Sequence, residues 1–93
     1  NSMNPEDRRK LRVDLLRDLY NYYFDNDGKF MEVHASRIDS EFKLAYRYLV
    51  DLGFIRSEEF EHLEGKAWRL TITARGIAFV EEGKGKRRGD FQS

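Results

Sequence analysis

Cysteine is absent from the chain, and proline occurs once. Without thiols there can be no disulfides and no thiolate metal site. No excess of either charge is present: 17 basic residues stand against 17 acidic ones. That balance argues against the strongly basic surface expected of a nucleic-acid binder. No apolar run approaches the ~20 residues of a membrane span. No signal-peptide pattern opens the chain, so the expected location is cytoplasmic. Histidine is scarce. His34 and His62 lie far apart, with no HExxH-like spacing, so each is expected to be a surface or turn residue and not a metal ligand. A phosphate-cradling glycine loop is also missing, because Gly83-Lys84-Gly85-Lys86 precedes no helix. Glu58, Glu59 and Glu61 read as a solvated strand edge that discourages aggregation rather than as a paired-carboxylate site. The expectation is a non-enzymatic chain with no catalytic residues, no cofactor and no small-molecule substrate.

What remains suits one small domain. Of 93 residues, 40% are hydrophobic and 14% aromatic, enough for a core. The clearest signal runs from Asp39 to Ile55. Phe42, Ala45, Tyr46, Leu49 and Leu52 recur at spacings of three and four and make one helical stripe. Asp39 or Ser40 can cap its start. Gly53 can end it in the left-handed conformation. Phe54 and Ile55 then begin an extended segment.

The other elements follow in order. Pro5, Glu6 and Asp7 suit the first turn of a helix running to about Phe24. Its apolar residues form two adjoining rows: Leu11, Leu15, Leu19 and Tyr22, and Val13, Leu16, Tyr20, Tyr23 and Phe24. Such width predicts either a helix central to the core or homodimerisation through it. Asp25 to Gly28 is a turn cluster. Met31 to Arg37 reads as a short second helix, with Lys29 to Val33 also compatible with a strand. Residues 54–62 and 66–72 read as a hairpin closed by a three-residue loop ending at Gly65. That register pairs Phe60 with Trp68. Thr73 caps a last helix, Ala74 to Glu82, with Ile77 and Val80 inward. Domain boundaries are expected at 5–82, followed by a flexible basic tail over 83–93, where Lys84, Lys86, Arg87 and Arg88 outweigh Asp90.

Two segments carry a family resemblance. Leu49-Val-Asp-Leu-Gly-Phe-Ile55 resembles the end of the recognition helix and the first wing strand of winged helix-turn-helix proteins. Ile72-Thr-Ala-Arg-Gly-Ile-Ala-Phe-Val-Glu81 is similar to the segment after the wing in many of them. The resemblance implies an α+β, mainly α fold: a three-helix core, a β-hairpin wing and a C-terminal helix. It also implies a transcription regulator that binds duplex DNA, often as a homodimer, with the third helix in the major groove. The matching positions are Ser40, Lys43, Leu44 and Arg47 on that helix, with Tyr48 beside them, Arg37 before it, and Lys66 on the wing. The chain departs from the pattern in its acidity. Asp39 and Glu41 stand where phosphate would approach. Glu58, Glu59, Glu61 and Glu64 outnumber Arg56, Lys66 and Arg69 on the hairpin. Winged helices also serve as protein-interaction or oligomerisation modules, which is the alternative reading.

Overall fold

A computed structural model describes residues 3–83. The basic tail expected beyond Gly83 lies outside the described residues. The chain forms α1 (Pro5–Asp25), β1 (Met31–His34), one turn of 3-10 helix (Ala35–Arg37), α2 (Ser40–Asp51), β2 (Ile55–His62), β3 (Gly65–Ile72) and α3 (Ala74–Glu81). The fold is α+β. Among the described residues, three α-helices pack with one antiparallel sheet of strand order β1-β3-β2. Among the described residues, no helix is long and apolar enough to cross a membrane.

Local chemistry sets the helix limits. The Asn4 side chain accepts the Asp7 N–H at 2.8 Å, ahead of Pro5 and the first-turn acids Glu6 and Asp7. Asp39 caps α2 by accepting the Phe42 N–H at 3.1 Å. Gly53 ends α2 at φ +81°, and the Phe54 N–H returns to the Leu49 carbonyl at 3.0 Å. This is the paired closure a left-handed glycine permits. Thr73 caps α3 through the Gly76 N–H at 3.1 Å and donates its own hydroxyl to the Gly53 carbonyl at 2.6 Å. The stop of α2 and the start of α3 are thereby tied together.

The core lies between the helices and one face of the sheet. Leu15, Leu16 and Leu19 of α1 meet Ala45 and Leu49 of α2 and Ile55, Leu70 and Ile72 of the sheet. Ile77 and Val80 of α3 pack against this cluster, as their spacing predicts. Contacts of α1 reach α2, β1, β3 and α3. Its broad apolar surface therefore has extensive use within the chain, as a central helix requires.

Two expectations fail. Met31 to Arg37 is not a helix: Met31-Glu-Val-His34 is a strand and only Ala35–Arg37 turns, so two α-helices, not the expected three, precede the hairpin among the described residues. Its alternation puts Met31 and Val33 on the core face, opposite Leu70 and Trp68, while Glu32 and His34 face outward. The hairpin register is also shifted by one. The loop holds only Leu63 and Glu64, and His62 pairs with Gly65. Phe60 therefore lies opposite Ala67, and Trp68 lies opposite Glu59 on the other face. The reason is the alternation of β3. Trp68, Leu70 and Ile72 share the core face, and Ile55 must join them across the ladder, which turns Phe60 outward. There Phe60 lies beneath the Arg69 guanidinium, 4.2 Å from its ring centroid.

Candidate functional site

Helix α2 carries most of the residues singled out by the sequence, and the fold divides them between its two flanks. Lys43 and Arg47, at i and i+4, are exposed on the flank that faces the sheet. With Tyr46, Trp68 and Glu59 they border a cleft of about 490 Å³ between α2 and the hairpin. Lys66 does not line the cleft but pairs with Glu59, which does, at 3.2 Å. Ser40 opens the helix and Arg37 ends the preceding turn, both exposed. Leu44 is not part of this group. It points to the opposite flank, into a depression shared with Arg8, Arg12 and Tyr48.

The acidic residues near the start of α2 prove to be engaged. The Asp39 carboxylate is the helix cap. Glu41 accepts two hydrogen bonds from Arg8, Nε to Oε1 at 3.0 Å and Nη2 to Oε2 at 2.8 Å. These bonds hold the Glu41 carboxyl below its ordinary value, with the charge of Arg8 adding to the effect against partial desolvation. Asp51 is the remaining carboxylate of α2 and borders the cleft. Among the described residues, Arg37, Lys43 and Arg47 take no ion pair and no side-chain hydrogen bond. Cation and aromatic residues also meet on the other flank, where Arg12 lies over the Tyr48 ring at 4.1 Å. At Tyr46, which borders the cleft, burial and the nearby Asp18 charge push the phenol pKa up.

The chain matches no protein-family model, no curated protein and no solved structure. What the site can do is therefore argued from its own chemistry. A guanidinium and an ammonium one helical turn apart can take two neighbouring anionic oxygens, the arginine in a forked geometry. Trp68 is half-buried and supplies an aromatic wall to the same cleft.

Sequence reasoning missed Arg8 and the meeting of the two histidines. Arg8 lies 33 positions from Glu41, and nothing in its local spacing marks it as a partner. His34 and His62, expected as separate surface residues, face each other with ring centroids 4.5 Å apart.

Proposed function

We propose that this chain is a winged-helix DNA-binding module, a small transcription regulator in which α2 enters the major groove and the β2–β3 hairpin is the wing. The observation that carries the reading is the pair Lys43 and Arg47. They are exposed and unpaired among the described residues, while Glu41, on the opposite flank of the helix start, is ion-paired with Arg8. Of the two carboxylates at the helix start, Glu41 is thus offset by Arg8 and Asp39 is held as the cap, while Asp51 and Glu59 border the cleft itself. Further support comes from the two segments that carry the resemblance, which touch: Thr73 donates to Gly53, and its N–H reaches the Phe54 carbonyl at 2.9 Å.

The test is duplex binding across a salt series. Changing Lys43 and Arg47 together to Ala should weaken binding and flatten its salt dependence, by about 0.9 in log–log slope per lost phosphate contact. Removing residues 84–93 should reduce binding less, since a basic segment adds charge without reading a groove. If the tail deletion abolishes binding while the helix changes do nothing, α2 is not a reader.

A second reading, a protein-interaction or oligomerisation module, is favoured by apolar side chains left in solvent. Leu44 is 62% exposed and Tyr48 46% on α2, and Leu63 is wholly exposed at the hairpin tip. Phe24, at the end of α1, offers a surface to a second copy. Loss of duplex binding at low salt, together with a concentration-dependent change in mass, would select this reading.

A further inference from the structure

The outward face of the sheet holds the second cluster of chemistry-bearing side chains. His34 on β1 is paired with Ala67, and His62 on β2 is paired with Gly65. Strand β3 lies between them, and at these two positions it offers only a methyl group and a hydrogen. The imidazoles therefore meet across it, nearly perpendicular at 87°. Glu32, two residues before His34 and on the same face, places Oε2 at 2.7 Å from His34 Nε2.

We propose that Glu32, His34 and His62 bind one divalent transition-metal ion of the zinc class. One ligand atom from each residue lies within 4.8 Å of the other two. Tetrahedral zinc, with bonds of about 2.0–2.2 Å, needs neighbouring ligand atoms about 3.3 Å apart. Binding therefore requires the side chains to turn until their ligand atoms reach this spacing, and the ion replaces the direct Glu32–His34 contact of 2.7 Å. Two imidazoles and one carboxylate suit zinc and its neighbours, whereas magnesium and calcium select oxygen. His34 is one-quarter exposed and Glu32 about half, so an ion can enter and water can complete the coordination.

Loading the site reaches the hairpin turn. His62 Nδ1 accepts the Glu64 N–H at 3.3 Å. A metal on Nδ1 displaces that amide. A metal on Nε2 moves the proton of the neutral ring to Nδ1, which then no longer accepts. Either way the Glu64 amide changes its partner.

The experiment titrates the tag-free full chain with Zn²⁺, and separately with Mg²⁺, by calorimetry and by NMR of the imidazole rings. The chain has only two histidines, so the ring signals are easily assigned. One Zn²⁺ per chain is expected, both rings and the Glu64 amide shifting along one saturation curve, with no response to Mg²⁺. His34→Ala and His62→Ala should each weaken binding by more than the about 10- to 100-fold that follows loss of a residue which only orients a ligand. The ring measurement on the unaltered chain does not depend on either variant folding. Zinc binding that leaves either ring unmoved, or wild-type affinity in either folded variant, overturns the proposal.

Discussion

Arg8 grips Glu41 with two parallel hydrogen bonds and so joins the first turn of α1 to the first turn of α2. The contact links the starts of the two helices and offsets the charge of one carboxylate of α2. Because the pair is partly exposed, its value lies more in geometry and charge placement than in stability.

Acid should reveal this contact. The Glu41 carboxyl titrates below its ordinary value of 4.5 when folded. Its contribution is therefore present above that value and is lost as pH falls through the lowered folded one. Glu41→Gln should make stability less dependent on pH in that acid window. Urea unfolding from neutral pH down to about pH 2 measures the difference.

The same substitution should strengthen duplex binding. It removes a negative charge near the proposed phosphate path and releases Arg8. Binding curves for Glu41→Gln and wild type at one salt concentration compare the two. Unchanged or weaker affinity for the variant would place phosphate away from this end of α2.

Gly76→Ala should destabilise the fold severely. A Cβ there would fall on the Phe54 carbonyl oxygen and 2.7 Å from Ile72 Cγ1. The first of these is backbone, already held by the Thr73 N–H, so it cannot give way as a side chain can. The loss should reach or exceed the upper end of the about 1–3 kcal/mol usual for overpacking. Thermal unfolding reads it.

Gly65→Val tests strain without crowding. Gly65 sits at φ +122°, and nothing lies within 4 Å of the position a Cβ would take. Neither Leu63 nor Glu64 has a positive φ, so the left-handed step of this turn rests on Gly65 alone. A loss of about 1–3 kcal/mol is expected from backbone conformation. A loss near zero would mean the turn relaxes around the new side chain.

Leu49 and Leu44 lie on one helix and should answer differently. Leu49 is 3% exposed and packs in the core, so Leu49→Ala should cost about 2–5 kcal/mol. Leu44 is in solvent, and Leu44→Ala should change stability by no more than about 0.5 kcal/mol. Chemical denaturation of both variants separates them. Lost self-association in the Leu44 variant alone would favour the interaction reading.

The sequence by itself determined what local physics governs. The caps at Asp39 and Thr73, the glycine stop at Gly53 and the apolar stripe through Leu49 each act within a few residues. The limits of the three α-helices, the core stripe of α2 as far as Leu49 and the hairpin's existence were therefore legible, whereas Leu52, read as part of that stripe, is 41% exposed. A strand over Lys29 to Val33 was only one of two readings there, because so short a stretch is a weak period, and pairing with β3 is what makes Met31–His34 a strand. The tertiary structure decided the rest. A single-residue shift in the hairpin exchanges both faces of a strand, and it follows from which face of β3 meets α1, not from the turn residues alone. The split of Lys43 and Arg47 from Leu44 depends on where the sheet and α1 flank α2. Arg8 with Glu41, and His34 with His62, are brought together only by packing, because distance along the chain carries no information about which side chains will meet.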